Sequence, residues 1–159
     1  MLIIRKFKDS DSVELAKMHK STIRNVNSQD YNKNQIKVWS DKISAEKYER
    51  TSKEKNRIIL VAIERRKIVG YGEYLNKHIV GLYISKNNLG KGIGKKLLQK
   101  LEAHAYKKGI RTIKCYSTIT AHKFYEKNGY KTIKKNTKYK LGNQKLTVFE
   151  MKKRLINDN

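Results

Sequence analysis

A glycine loop, Asn88-Leu89-Gly90-Lys91-Gly92-Ile93-Gly94-Lys95, separates two segments of different periodicity. Before it, His78 to Ser85 reads as a strand. After it, Ile93, Leu97, Leu98, Leu101 and Ala105 fall in one apolar stripe at helical spacing, which predicts a helix opening at Gly90. Lys107-Lys108-Gly109 closes that helix, with cations at its carboxyl end and glycine just beyond. Thr112 to Tyr116 then reads as a short strand. A chain with this succession contains a strand-loop-helix-strand unit, so all-α and all-β folds are excluded.

The remaining segments extend the pattern. Leu2 to Phe7 predicts a first strand. Asp9-Ser10-Asp11 supplies cap oxygens for a helix carrying Val13, Leu15, Ala16 and Met18. Thr22 to Thr51 is polar, contains Tyr31, Gln35, Ile36 and Trp39, and predicts one or two short helices. Arg57 to Glu64 and Ile68 to Leu75 form a hairpin across Arg65-Arg66-Lys67. Alternation along the second of these strands puts Val69, Tyr71 and Glu73 on one face. Thr120 to Lys127 predicts a helix stopped by Asn128-Gly129. Tyr130 to Lys140 and Gln144 to Lys152 make a last hairpin across Gly142-Asn143. The expected architecture is α/β with a mixed sheet, built as a single domain over residues 1–159.

Charge is the loudest compositional signal: 38 Lys+Arg against 14 Asp+Glu, formally +24. It admits an anionic partner such as nucleic acid, a headgroup surface or a phosphorylated cofactor. Yet the lysines are spread along nearly the whole chain. Lysine greatly outnumbers arginine, the better bidentate phosphate ligand. Proline is absent while Lys, Asn, Ile and Tyr abound, as an A/T-rich coding sequence produces. Most of the charge therefore reads as a solvated surface. The single cysteine, Cys115, excludes an intramolecular disulfide framework and a cysteine zinc site. The longest apolar run, Ile58 to Ile63, is far short of the ~20 residues of a membrane span. Met1-Leu2-Ile3-Ile4-Arg5-Lys6 has no signal-peptide anatomy, so the expected location is cytoplasmic.

The glycine loop suits an anion. Its backbone N–H groups can approach a phosphate closely, the helix N-terminus adds a positive dipole, and Lys91, Lys95 and Lys96 add charge. It lacks the Gly-Lys-Ser/Thr ending of a P-loop. It also lacks the dinucleotide fingerprint, because Leu97 holds the third glycine position.

Two flanking segments narrow the choice. Gly81-Leu82-Tyr83-Ile84-Ser85 precedes the loop, and Ala121-His122-Lys123-Phe124-Tyr125-Glu126-Lys127-Asn128-Gly129-Tyr130 follows about thirty residues later. Together they resemble the GNAT superfamily of N-acetyltransferases, whose pattern is a hydrophobic strand, Arg/Gln-x-x-Gly-x-Gly/Ala opening a helix, a strand, then Asn-Ala-x-x-Phe-Tyr-x-x-x-Gly-Phe. The likeness runs from Ile3 to Lys152 and is densest from Leu82 to Tyr130. The Tyr31, Gln35 and Trp39 segment resembles the acceptor region of a bacterial subgroup. Three positions depart from the pattern: Leu89 replaces Arg or Gln, Lys86 stands where proline is common, and Thr120 replaces asparagine.

The resemblance implies a mostly antiparallel sheet with a central pair of splayed parallel strands, His78–Ser85 and Thr112–Tyr116, flanked by helices. It implies acetyl-CoA as cosubstrate. Backbone groups near Leu82, Tyr83 and Ile84 would hold the pantetheine arm as a sheet edge holds a peptide. Backbone N–H groups from Leu89 through Gly90, Lys91, Gly92, Ile93, Gly94 and Lys95 would hold the pyrophosphate, with Thr120 and Phe124 nearby. Tyr125 resembles the family's tyrosine beside the CoA sulfur, a phenol that stays protonated at neutral pH and can act as general acid.

The proton acceptor is open on sequence grounds. Glu73 would have a raised pKa among apolar neighbours and could act through water. His78 has a suitable intrinsic pKa. Deprotonation by solvent is the third route. Tyr31, Trp39 and Tyr71 are candidates for an acceptor pocket, while the histidines show no metal-ligand spacing and Cys115 reads as packing. The expected acceptor is a small-molecule or peptide amine, taken by a monomer or homodimer with no membrane partner. Two alternatives are a basic nucleic-acid-associated protein, which could act on aminoacyl-tRNA, and a non-catalytic CoA-binding module. The tyrosines are scattered along the chain, which argues against a base-stacking platform.

Overall fold

The computed structural model describes residues 1–157. Seven strands form one sheet: β1 (Leu2–Lys6), β2 (Arg57–Glu64), β3 (Lys67–Leu75), β4 (His78–Ile84), β5 (Thr112–Thr118), β6 (Lys131–Leu141) and β7 (Gln144–Arg154), in the order β1-β2-β3-β4-β5-β7-β6. Five helices cover it: α1 (Ser12–Asn25), α2 (Lys33–Asp41), α3 (Ala45–Thr51), α4 (Ile93–Lys107) and α5 (His122–Lys127). Neighbouring strands are antiparallel except β4 and β5, which run parallel. A parallel pair needs a long crossover, and α4 supplies it.

The sheet divides two cores. On one face, the stripe Ile93, Leu97, Leu98, Leu101 and Ala105 of α4 packs with Ile113, Cys115, Met151 and Tyr125. On the other, α1 to α3 bring Leu15, Ile23, Trp39 and Tyr48 against Ile59, Val61, Tyr71 and Val148. Capping fixes the undecided N-terminal region: Asn32 and Gln35 form a reciprocal capping box on α2, and the Ser44 hydroxyl accepts from Lys47 N–H at α3. The glycines explain one difference in helix limits. Gly90 (φ +75°) and Gly92 (φ +79°) are left-handed, so the loop stays open and α4 begins at Ile93 rather than at Gly90.

Two bulges set the faces of the central strands. Ala62 pairs with Gly70 but Ile63 pairs with Ile68, leaving Val69 as an extra residue. Strict alternation groups Val69 with Tyr71 and Glu73. The bulge instead sends Val69 to the α4 core, while Tyr71 stays in the core of the opposite face. In the second bulge Glu73 pairs with Gly81 but Tyr74 pairs with Ile79, so Val80 is extra. The β4–β5 pairing stops at that point, after His78–Lys114 and Ile79–Cys115. A bulge bends its strand and increases its twist, which accounts for β4 swinging away from β5. From Val80 to Ile84 the β5-facing edge of β4 is unpaired by β5, over ~16 Å.

Candidate active site

The gap between the splayed strands is a cavity. Residues Ile79 to Ile84 line it from β4, and Tyr116, Ser117 and Thr118 line it from β5. Leu89 and Gly94 border it from the glycine loop, and Thr120, Ala121, Phe124 and Tyr125 from the entry and body of α5. Thr22, Val26 and Asn27 close it from the end of α1. Among the described residues, none of those lining it is charged.

Of the residues singled out in sequence, Leu82, Tyr83, Ile84, Leu89, Gly94, Thr120, Phe124 and Tyr125 meet at this cavity. Gly90, Lys91 and Gly92 are exposed on the loop leading into it, and Lys95 is exposed in the first turn of α4. Ile93 is buried in the α4 core, so only its backbone can serve a ligand. No side chain caps the N-terminus of α4, and β-carbons placed on Gly90 and Gly92 would meet nothing within 4 Å. The loop therefore offers open space beside free helix N–H groups, which fits a polyphosphate. The unpaired edge of β4 fits an arm carrying amides. Leu89 contributes an exposed apolar side chain, and the nearby cations are Lys91 on the loop and Lys95 in the first turn of α4.

Tyr125 is 5% exposed, packs edge-on against Phe124 and Tyr130, and makes no side-chain hydrogen bond among the described residues. Burial, and then the proximity of Cys115 and Tyr83, pushes its phenol well above the ordinary tyrosine range, so it carries its proton. Cys115 is buried and its thiol is pushed up to about 12 by desolvation, which leaves it a packing residue.

Glu73 and His78 do not line the cavity. Glu73 is buried on the α1–α3 side of β3, where it pairs with Arg57 and accepts a hydrogen bond from the Tyr71 hydroxyl at 3.4 Å. Tyr71 stacks on Tyr83, with ring centres 5.8 Å apart and planes within 7°, and Tyr83 does reach the cavity. His78 is half-buried at the start of β4 and stacks on Tyr116, another lining residue, with ring centres 6.1 Å apart.

Tyr31, Trp39 and Tyr71 lie outside the cavity wall. The Tyr31 hydroxyl is a structural tie: it donates to Thr147 O at 2.7 Å and accepts from Ile119 N at 2.9 Å. Trp39 is buried edge-on between Tyr31 and Tyr83. Tyr31, Tyr48 and Tyr71, far apart in sequence, thus gather behind Tyr83. His19 is at their centre, 4.1 Å from the Tyr83 ring, with Nδ1 bonded to the Tyr48 hydroxyl. Burial, with the Lys47 charge second, holds His19 down to about 3, so it is neutral.

Sequence reasoning passed over Thr22, Asn27, Tyr116, Ser117 and Thr118. Thr22 falls on the buried stripe of α1 with Leu15, His19 and Ile23, so its period carried a signal. Asn27 sits in a single 3-10 turn, where periodicity says nothing.

The comparisons agree with this geometry. The family model described as "Acetyltransferase (GNAT) domain" matches residues 27–155. No curated sequence matches the chain. Similar solved structures include a GCN5-related N-acetyltransferase from Rhodopseudomonas palustris, 23% identical, TM-score 0.87, covering 96% of this chain and 95% of that one. PaiA N-acetyltransferase from Thermoplasma acidophilum in complex with coenzyme A is 24% identical, TM-score 0.80, covering 98% and 99%. Aminoglycoside 6'-acetyltransferase type Ii is 19% identical, TM-score 0.72, covering 99% of each chain. The family match over most of the chain, on a sheet split at β4 and β5 beside a glycine-opened helix, places this protein in the GNAT family of N-acetyltransferases.

Proposed function

We propose that the chain uses acetyl-CoA to acetylate a primary amine by direct transfer, with Tyr125 as general acid. The observation that carries this reading is the unpartnered Tyr125 hydroxyl in an uncharged cavity between β4 and β5. Acetyl-CoA supplies an electrophilic thioester carbonyl and a thiolate leaving group. The unpaired edge of β4 at Leu82, Tyr83 and Ile84 holds the arm, and the backbone from Leu89 to Lys95 holds the pyrophosphate. Phe124 and Ala121 exclude water from the reacting end. Tyr125 donates its proton to the departing sulfur.

Glu73 receives the amine proton by way of Tyr71. Support comes from Gly81, which lines the cavity: a β-carbon there would lie 2.5 Å from the Tyr71 hydroxyl, so only this glycine stands between that hydroxyl and the cavity. His78 and direct release to solvent are the competing routes. The acceptor approaches past Tyr116 and Tyr83, and Tyr31, Trp39 and Tyr71 shape that side from behind. With no carboxylate in the wall, the cavity favours an amine that arrives neutral over a polycation held by charge. The chain acts as one acetyltransferase domain, in the cytoplasm; no described helix is long and apolar enough to cross a membrane.

One observation favours a second reading, an amine carried on RNA. The edge strand β6 exposes Lys131, Lys134, Lys135, Lys138 and Lys140, and Tyr139 touches Tyr116 at the cavity, ring centres 5.5 Å apart. Calorimetry with acetyl-CoA and CoA, followed by thiol release across polyamines, aminoglycosides, amino acids, peptides and charged tRNA, tests both. Tight binding with release by a neutral small amine supports the first reading. Release only with charged tRNA supports the second, binding without release leaves a CoA-binding module, and no binding rejects all three.

A further inference from the structure

Residues Thr22 to Tyr31 strap the wide end of the cavity. At one end the Thr22 hydroxyl, 3.0 Å from Met18 O within α1, also lies 3.3 Å from Ile84 O, which sets the strap against the last residue of β4. At the other, the Thr120 hydroxyl donates to Asp30 Oδ2 at 2.8 Å, and Ile119 N donates to Tyr31, which ties it just past the end of β5. The strap therefore crosses above the mouth through which anything held between the strands must pass.

Asn27 stands in the middle of that crossing. It is 4% exposed and belongs to the cavity wall. Its Oδ1 has no hydrogen-bond partner, and its amide makes no side-chain bond among the described residues. A buried carboxamide oxygen without a partner is destabilising in the free protein, and leucine of similar shape carries no such group. Such a group is kept where a bound molecule satisfies it.

Building on the CoA assignment above, we propose that Asn27 is a positioning residue for the pantetheine arm, its Oδ1 accepting from an arm amide N–H. The location selects the arm over the acceptor. The strap lies at the Ile84 and Thr120 end of the gap, beside the glycine loop. Paired strands and the vertex lie at the other end, at Ile79 and Cys115. An arm running from the loop toward Tyr125 passes beneath Asn27 first. It then meets backbone groups from β4 on one side and a side-chain acceptor from the strap on the other.

The test compares the unaltered chain with Asn27→Leu and Asn27→Ser, using CoA and adenosine 3',5'-bisphosphate, which lacks the arm. Asn27→Leu should weaken CoA by roughly 2- to 12-fold, leave the bisphosphate unchanged, and raise the Tm of the ligand-free protein by about 2–4 °C. Asn27→Ser, which restores a small polar group, should bind CoA between the two. In turnover, the KM for acetyl-CoA rises while the KM for the amine does not. Equal CoA affinity in all three chains, or a rise confined to the amine KM, overturns the assignment. So does a lower Tm with both ligands weakened, the mark of a purely structural residue. If the unaltered chain fails to bind CoA, the cosubstrate reading itself falls, a result separable from failure at Asn27 alone.

Discussion

The hydroxyl of Tyr71 occupies the space that a side chain on Gly81 would fill: a β-carbon at Gly81 would stand 2.5 Å from it. This sets the buried carboxylate behind Tyr71, with Gly81 between that tyrosine and the cavity. Glu73 accepts from that hydroxyl on one side, and Gly81 opens onto the cavity on the other. Gly81→Ala should therefore displace Tyr71 and cost about 1–3 kcal/mol by overpacking. Tyr71→Phe removes the clashing oxygen. The double variant should lose less stability than the sum of the singles, a coupling read in denaturant melts. Strict additivity would show that the ring moves freely.

Tyr125→Phe tests the proposed acid. Because its hydroxyl has no protein partner, removing it should change stability by less than about 0.5 kcal/mol. Turnover should fall about 100-fold or more, with CoA affinity retained. The check is kcat beside calorimetry. Near-normal turnover would remove Tyr125 from the chemistry.

Arg57 and Glu73 separate structure from proton transfer. Their side chains are 13% and 10% exposed, so Arg57→Ala leaves a buried carboxylate without its partner. That should cost about 3–5 kcal/mol in a melt. Glu73→Gln preserves the shape, and Arg57 retains Glu54 at 2.8 Å. This variant should lose about 100-fold in kcat near pH 7 and recover as pH rises and free amine accumulates. An unchanged pH–rate profile would assign the amine proton to His78 or solvent.

His19 makes stability depend on pH. Burial holds its folded pKa near 3, while the unfolded chain has the ordinary value of about 6.5. Between those limits the unfolded chain binds a proton that the folded one refuses. Stability should thus fall as pH drops from 6.5 toward 3, by up to about 1.4 kcal/mol per pH unit. His19→Gln should flatten that part of the Tm–pH curve. Asp11 acts lower: its hydrogen bond from Arg5 holds the carboxyl below the usual range, so its contribution is lost only below about pH 4. An unaltered slope between pH 6.5 and 4.5 in His19→Gln would place the acid sensitivity elsewhere.

Particular segments show what was legible. The α4 stripe and the runs in β2 and β3 were readable because each element buries one face at its own period. The loop glycines were readable because left-handed backbone and open space demand glycine. Val69 was misplaced because one extra residue reverses the alternation, and bulges carry no fixed residue signature. Asn27 was missed because a polar residue in a 3-10 turn looks like any loop residue until its burial is known.

The sequence by itself determined a strand-loop-helix-strand unit, a second strand-helix segment carrying Phe124-Tyr125, and through them the resemblance to the family. Those are local properties, set by periodicity, backbone freedom and short motifs. Only the tertiary structure decided which groups face the cavity. It drew Glu73 behind Tyr71, moved Trp39 and Tyr31 into the support of Tyr83, and left Asn27 unpartnered over the gap. Those outcomes depend on two bulges and on contacts such as Thr22–Ile84 and Asp30–Thr120, between residues distant in the chain. Long-range packing satisfies or strands a polar group, and no local window of sequence contains its partner.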